Sequence, residues 1–154
     1  MIEIERKFLV KNTSFLDGCS GLNIKQGYLS TDPERTVRIR QYGDTGFLTI
    51  KGASNKSGMS RSEWEKELLL SDLEELWPLC LESIIHKTRY RLNHDAMIWE
   101  VDIFHDDNNG LILAEVELES ENQSIELPDW IKEEVTGDKK YYNSYLSKLP
   151  FKKW

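Results

Sequence analysis

The sequence predicts a mainly β (α+β) fold: an eight-stranded antiparallel β-barrel, closed into a tunnel, with a charged interior and helices packed outside. Three observations predict it. Apolar and polar residues alternate with a period of two in eight segments, turn-forming residues separate these segments, and charged residues share one face of nearly every segment. Eight antiparallel strands close economically into a barrel, because closure removes the exposed edges of the sheet.

The predicted strands are joined by segments rich in Gly, Asp, Asn and Ser, which suit hairpins and loops. Each strand is short enough to fit a small barrel. They are residues 2–10, 24–29, 36–42, 47–51, 60–70, 84–92, 97–104 and 111–118.

Three segments are predicted to be helical. Residues 71–81 begin with a capping serine, Ser71, and carry acids in the first turn. Residues 128–134 could form a short helix, and residues 139–149 carry apolar side chains at helical spacing. We expect residues 1–154 to form a single domain that includes the helix at about 139–149.

Composition excludes several classes of protein. The net charge of -7 argues against nucleic-acid binding, which depends on an excess of Lys and Arg. Cys19 and Cys80 lie far apart without a CxxC spacing, so neither a disulfide framework nor a thiolate zinc site is expected. The chain has no long apolar run and begins with acids rather than with a signal-peptide pattern. We therefore expect a cytoplasmic protein without a membrane partner.

The charged residues are sorted strand by strand. Every second residue of a strand points to the same face, and on that face some strands carry acids while others carry bases. The acids are Glu3 and Glu5, Glu63 with Glu65 and Glu67, Glu100 and Asp102, and Glu115 with Glu117 and Glu119; the bases are Lys7, Arg38, Arg40, Lys51, Lys87, Arg89 and Arg91. A solvated sheet face explains any one of these runs, but not seven together.

The shared face could lie inside or outside the barrel. An outward charged face would leave an apolar interior for a small apolar ligand, whereas an inward one would create a polar tunnel. Sorting into acidic and basic strands favours the tunnel, because a merely solvated exterior needs no sorting. Apolar residues would then face outward, where the helices at 71–81 and 139–149 could cover them: Ile4, Ile39, Ile50, Trp99, Val101 and Val116.

Such sorting suits a metal-bound phosphate chain. Carboxylates are hard oxygen ligands for Mg²⁺ or Mn²⁺, which often bridge to the phosphates of a substrate. Arginine and lysine bind phosphate oxygens, arginine through a bidentate fork and lysine as a point charge.

An ordered set of motifs also resembles one known family, the triphosphate tunnel metalloenzymes or CYTH domains. The resemblance begins with Glu3-x-Glu5-x-Lys7 and covers nearly the whole chain. It continues through Gln26-Gly27-Tyr28-Leu29, Val37-Arg38-Ile39-Arg40, Leu48-Thr49-Ile50-Lys51, Glu63 and Glu65, Lys87-Thr88-Arg89-Tyr90, Glu100-Val101-Asp102, Glu115-Val116-Glu117 and a closing motif at 135–143 that contains Lys140.

The resemblance implies divalent-metal-dependent hydrolysis of a triphosphate, above all of inorganic tripolyphosphate to pyrophosphate and phosphate. An adenylate cyclase or a thiamine triphosphatase of the same family remains an alternative, as does a non-catalytic polyphosphate-binding module. An outer-membrane barrel is a weaker alternative, because the chain lacks an export signal at its start and has charged residues on the face that lipid would contact. The sequence leaves a homodimer open.

Site residues follow from the motifs. The predicted metal ligands are Glu3, Glu5, Glu63, Glu65, Asp102, Glu115 and Glu117, and the first and last strands are expected to meet when the barrel closes. The predicted substrate-binding residues are Lys7, Arg38, Arg40, Lys51, Lys87, Arg89 and Lys140. Lys87, Glu5 and Lys7 are the predicted catalytic residues. The alternative is that the acids and bases merely neutralise one another as structural salt bridges.

Overall fold

The computed structural model describes the backbone of residues 1–154 and all side chains except that of Glu82. Nine strands dominate it, with two short α-helices and several 3₁₀ turns. The strands are β1 (Ile2–Val10), β2 (Leu22–Ser30), β3 (Arg35–Tyr42), β4 (Thr45–Gly52), β5 (Ser60–Leu68), β6 (Leu81–His94), β7 (Met97–Phe104), β8 (Ile112–Glu117) and β9 (Ile131–Glu134). The helices are α1 (Leu70–Leu76) and α2 (Asn143–Leu146).

Eight strands close into an antiparallel barrel, which confirms the predicted architecture. Around the barrel the order is β1, β5, β4, β3, β2, β6, β7, β8 and again β1. The closure is made on β1, whose first half pairs with β5 at Glu3↔Arg61 and whose later residues pair with β8 at Glu5↔Glu117. The first and last strands of the barrel are therefore neighbours, as predicted.

Strand β9 corrects the helix predicted at 128–134. Residues 128–131 form a turn, in which the Ile131 amide donates to the Pro128 carbonyl, and the chain then pairs with β1 at Phe8↔Glu134. Strand β5 covers only the first half of β1, so the second half would otherwise present unpaired backbone groups. This demand for a partner strand outweighs the local helix preference of the acidic segment.

The outer faces of β1, β7 and β8 bury the larger hydrophobic core. Trp99, Val101 and Val116 are buried here, beside Phe8 and Ala114. Short segments outside the barrel strands cover this face. Phe15 and Leu16 come from the 3₁₀ turn after β1, Ile125 and Trp130 come from the segment between β8 and β9, and Ile131 begins β9. The apolar face is outward as predicted, but the two long helices expected to cover it do not.

Helix α1 covers a different part of the barrel. Its Leu73 packs against Gly46 of β4, where an added Cβ would lie 2.9 Å from the leucine side chain. The helix ends at Leu76 rather than at residue 81, and a 3₁₀ turn (Trp77–Leu79) follows it. Pro78 explains the early end, because proline cannot donate the backbone hydrogen bond that would continue the helix.

The C-terminal segment corrects the helix predicted at 139–149. A 3₁₀ turn (Lys139–Tyr141) leads into α2, which spans a single turn. This segment closes one end of the barrel interior instead of covering its outside. Its Tyr141 and Leu146 pack with Leu113 and with the other inward side chains Leu9, Tyr28, Ile85 and Phe104.

Two further structural facts bear on class. None of the helices formed by the described residues combines the length and the apolar character that crossing a membrane requires. Cys19 and Cys80 are both free thiols.

Candidate active site

The charged residues of the strands line a cavity of about 220 Å³ inside the barrel. All the predicted site residues except Asp102 and Lys140 line this cavity, which we name the tunnel. The predicted residues that line it are Glu3, Glu5, Lys7, Arg38, Arg40, Lys51, Glu63, Glu65, Lys87, Arg89, Glu115 and Glu117.

An acidic wall runs along β1 and β8. Because the two strands pair in register, Glu5 lies opposite Glu117 and Lys7 lies opposite Glu115. The Lys7 ammonium is 3.3 Å from Glu115, and that contact helps to hold the pKa of Glu115 below its usual range although burial alone would raise it.

Glu5 is a buried acid whose negative charge the nearby lysines offset only in part. Among the described residues no Lys, Arg or His group lies within 4.0 Å of its carboxylate. Burial, and then the negative charges of Glu115 and Glu3, raise the pKa of Glu5 to about 8. A bound cation here would remove that repulsion.

Lys51 lies between two acids of different strands. Its ammonium donates to Glu3 at 2.9 Å and lies 3.5 Å from Glu63. Burial would raise the pKa of Glu3, but the charge and hydrogen bond of Lys51 together with the charge of Arg61 outweigh it and lower that pKa. The buried Oε2 atom of Glu63, which is the atom facing Lys51, has no hydrogen-bond partner among the described residues, so it keeps the capacity to accept a ligand.

The opposite wall, from β3 and β6, carries the bases. Arg38 and Arg40 are partly exposed in the tunnel, and the buried Nε atom of each has no hydrogen-bond partner in the described part of the chain. The pKa of Arg40 is lowered by burial and then by the nearby charges of Arg38 and Arg89. The other guanidinium nitrogens make only long contacts: Arg38 donates to Thr49 at 3.4 Å, and Arg40 lies 3.9 Å from Glu65. Two guanidinium groups that repel each other and keep their Nε hydrogens unpaired form a favourable site for an anion.

Asp102 lies beneath this wall rather than in the tunnel. It is almost fully buried, accepts two hydrogen bonds from Arg89 at 2.7 and 2.8 Å, and lies 2.8 Å from the Lys87 ammonium. Burial alone would raise its pKa, but Lys87 and Arg89 more than offset it and lower the pKa of Asp102 to about 2. Both carboxylate oxygens of Asp102 contact these two cations. The geometry therefore favours a role for Asp102 in positioning Lys87 and Arg89 over the predicted role as a metal ligand.

Lys87 is the most enclosed of the bases. Burial lowers the pKa of Lys87 to about 8, although Asp102 acts in the opposite direction. Its ammonium also donates to the side-chain amide oxygen (Oδ1) of Asn143 at 3.1 Å, and the same oxygen accepts from the Gln26 side-chain amide at 2.7 Å. The C-terminal segment therefore holds a tunnel base in place.

Lys140 lies outside the tunnel. It is exposed, and its ammonium lies over the Trp154 ring, 4.2 Å from the centroid. Arg91 is likewise outside, 3.6 Å from Glu100. Neither lines the tunnel, although Arg91 contacts Glu100, which does.

Several tunnel residues were missed by the sequence reasoning. Arg61 has the same parity as Glu63, so extending the alternation by one step would have found it. Glu100 was placed on the charged face from the sequence but was given no role in the site. The polar residues Thr36, Thr49, Tyr142, Asn143 and Ser144 also line the tunnel. No alternation marks the last three, because they come from the C-terminal segment and not from a strand.

Comparison with known proteins identifies the family. The CYTH domain model matches residues 1–150. The chain belongs to the CYTH domain family.

Two curated CYTH relatives carry the name inorganic triphosphatase. The protein from Acetivibrio thermocellus is 42% identical over 151 residues, 97% of this chain and 96% of that protein. The protein from Nitrosomonas europaea is 40% identical over 152 residues, 96% of this chain and 97% of that protein.

A solved CYTH structure has the same fold. The crystal structure of the inorganic triphosphatase NE1496 superposes with a TM-score of 0.67 at 38% identity, covering 94% of this chain and 93% of that chain. The closed barrel described above is therefore also found in a close homologue.

Membership in the CYTH family implies a divalent metal cofactor, and the acids of the tunnel fit one chemically. They are carboxylates, the ligands that hard divalent cations prefer. Burial, followed by the charges of Glu115 and Glu3, raises the pKa of Glu5. As the side chains stand, no three potential ligands among the described residues are gathered as in a formed metal site. Glu3 and Glu115 instead face lysines, at 2.9 and 3.3 Å.

Proposed function

We propose that this CYTH domain is a divalent-metal-dependent triphosphatase that hydrolyses inorganic tripolyphosphate to pyrophosphate and phosphate. One observation carries the proposal: an acidic wall and a basic wall face each other within one enclosed cavity. A metal-bound phosphate chain is the ligand that satisfies both walls. The curated relatives named inorganic triphosphatase, at 42% and 40% identity, support the same activity.

The basic wall binds the phosphate chain. Arg38 and Arg40 of β3 donate their free Nε hydrogens to phosphate oxygens, and Lys87 and Arg89 of β6 add charge from the same wall. Asp102 keeps Lys87 and Arg89 aimed into the tunnel. Lys51 and Lys7 lie nearer to the acids and neutralise charge on the transferring phosphoryl group.

The acidic wall would hold the metal, Mg²⁺ or Mn²⁺. The ligands would come from Glu3, Glu5, Glu115 and Glu117, with Glu63 and Glu65 available for a second position. When bound, such a metal activates water and neutralises phosphate charge. In the protein itself, Glu5 orients the attacking water, and Lys7 and Lys87 stabilise the charge that develops as the terminal phosphoryl group is transferred in line to that water and pyrophosphate leaves.

The test is phosphate release from tripolyphosphate, thiamine triphosphate and ATP with Mg²⁺ or Mn²⁺. We expect tripolyphosphate to be hydrolysed fastest, and Glu5→Gln and Arg40→Ala to lose at least about 100-fold in kcat/KM. Formation of cyclic AMP and pyrophosphate from ATP would instead identify a cyclase. Tight tripolyphosphate binding without phosphate release under either metal would identify a binding module.

Three expectations concern the setting of the enzyme. We propose that it acts in the cytoplasm, requires neither nucleic acid nor membrane, and forms a homodimer through the outer face of β4 and β5, where Ile50 and Trp64 are exposed. Sedimentation of the wild type and of Trp64→Lys tests the dimer. A monomeric wild type would contradict it.

A further inference from the structure

A second cavity adjoins the tunnel. It has a volume of about 600 Å³ and lies between the turn joining β2 to β3, the loop at residues 53–58 and the C-terminal segment. We name this cavity the vestibule. Thr36, Arg61, Tyr142 and Ser144 line both the tunnel and the vestibule, so the two cavities meet at these side chains.

The vestibule is basic although the protein as a whole is acidic. Among the side chains that the structure describes, those lining it include no Asp or Glu, whereas they include Lys56, Arg61, Lys139 and Lys148. Hydroxyl groups of Thr31, Ser54, Thr136 and Ser144 complete much of the wall. Cations and hydroxyls without acids are the surroundings that phosphate oxygens favour.

Arg61 joins the two cavities. Its guanidinium lies 5.6 Å from the centre of the Tyr142 ring, and no carboxylate among the described residues lies within 4.0 Å of it. A phosphate chain that reaches past the tunnel would therefore meet a cation at the boundary, and further cations beyond it.

The loop that forms one wall is held in shape. The Glu121 carboxylate accepts hydrogen bonds from Asn55 at 2.8 Å and Ser60 at 3.0 Å, and also from Ser57. A Cβ at Gly58 would lie 2.4 Å from the Gly137 Cα, so the loop packs directly on the C-terminal segment. A wall fixed in this way loses little conformational entropy when it binds a ligand.

We propose that the vestibule binds the additional phosphates of linear polyphosphates longer than tripolyphosphate. This inference rests on the proposed function, since the tunnel must first hold a triphosphate end. Each added phosphate brings another negative charge, which Lys56, Lys139 and Lys148 can neutralise. A nucleoside in the same space would leave these lysines without partners.

The test compares chain lengths in a triple variant, Lys56→Ala/Lys139→Ala/Lys148→Ala. We expect kcat/KM for a polyphosphate of about fifteen phosphates to fall about 10-fold, since each exposed charge pair contributes about 2- to 5-fold. For tripolyphosphate we expect a change below about 2-fold. The matched control is Lys11→Ala/Lys66→Ala/Lys132→Ala, which removes the same charge from exposed positions outside both cavities and should affect both substrates equally.

The outcomes separate this inference from the proposed function. Equal effects of the two triple variants on the long chain would overturn the vestibule site, and so would a loss of ATP hydrolysis as large as the loss for the long chain. If no substrate is hydrolysed, the proposed function fails, and the dissociation constants of the two chain lengths then decide. A long chain that binds no more weakly to the vestibule variant than to the control contradicts the inference.

Discussion

The barrel interior has two regions that differ in chemistry although the same strands build both. The inward side chains Lys7, Lys87 and Glu115 line the charged tunnel, and two residues away on each strand Leu9, Ile85 and Leu113 form an apolar end. The C-terminal segment packs against the apolar end through Tyr141 and Leu146. Its Asn143 reaches the tunnel and accepts a hydrogen bond from Lys87. The same face of one strand can therefore serve ligand binding in one half and folding stability in the other.

The two regions have opposite effects on the stability of the fold. Burying like charges without a partner is unfavourable, so the tunnel lowers the stability of the fold and prepares it for an ionic ligand. The apolar end gains from hydrophobic burial and offsets that loss. Five predictions on four variants test this division of roles, beginning with the largest expected effect.

Asp102→Asn should destabilise the protein most, because Asp102 lies where the two regions meet. It pairs across strands with Leu113. Among the described residues, its loss would leave Lys87 buried without an ion-pair partner and Arg89 paired with Glu100 alone, at 3.3 Å. We expect a loss of about 4 kcal/mol in the free energy of unfolding, measured by urea denaturation, together with reduced kcat/KM. A change below about 1 kcal/mol would contradict the pairing.

The stability difference between wild type and Asp102→Asn should also depend on pH. Because folding lowers the pKa of Asp102 from 3.8 to about 2, its stabilisation is present above the unfolded value and is lost as pH falls through the folded one. The stability difference between wild type and Asp102→Asn should therefore shrink by about 2 kcal/mol between pH 5 and pH 2. A constant difference over that range would show that Asp102 has an ordinary pKa.

Leu113→Ala should destabilise the apolar end while leaving the chemistry intact. The side chain is buried in the cluster closed by the C-terminal segment, so the substitution leaves a cavity and costs about 3 kcal/mol. The folded fraction should keep kcat within about 3-fold of wild type. Leu127→Ala, at an exposed leucine, is the control and should change stability by less than about 0.5 kcal/mol.

Arg40→Ala should do the opposite of Leu113→Ala: it should reduce activity strongly and change stability little. We expect kcat/KM for tripolyphosphate to fall about 100-fold while the free energy of unfolding stays within about 1 kcal/mol, because Arg40 repels Arg38 and Arg89 in the free protein. Arg6→Ala is the matched control, since Arg6 lies on the outer wall and is ion-paired to Glu134 at 2.7 Å. Equal losses of activity in the two variants would remove the basis for assigning phosphate binding to the inner wall.

Lys87→Arg should have the smallest effect, seen only in alkali. Since burial lowers the pKa of Lys87 to about 8, wild-type kcat/KM should fall by about 10-fold per pH unit above that value as the ammonium loses its proton. Arginine keeps its charge at these pH values, so the variant should lack this decline. An identical alkaline limb in both proteins would assign the decline to another group.

Much of the barrel and of its charged face could be predicted, because alternation identifies which side chains share a face. The strand bounds at β1 and β7 agree with the predicted ones, and the acids of β1 and β8 meet as expected. Alternation does not reveal how deep a side chain lies. Asp102 shares the parity of Glu100, but it is buried under two cations whereas Glu100 lines the tunnel.

The segments after the barrel could not be predicted, because long-range contacts determine their structure. Residues 131–134 form a strand because the second half of β1 needs a partner. The C-terminal segment bends so that Leu146 enters the barrel end while Asn143 reaches Gln26 and Lys87. For the same reason Lys140, expected to contact phosphate, points away to Trp154.

The most direct test of the central claim is a crystal structure with tripolyphosphate and a divalent metal bound. We predict the phosphate chain in the tunnel, with its oxygens within hydrogen-bonding distance of Arg38, Arg40 and Lys87, and the metal against the carboxylate of Glu5. A phosphate chain and metal bound on the outer surface of an active enzyme, with the tunnel free of both, would contradict the account.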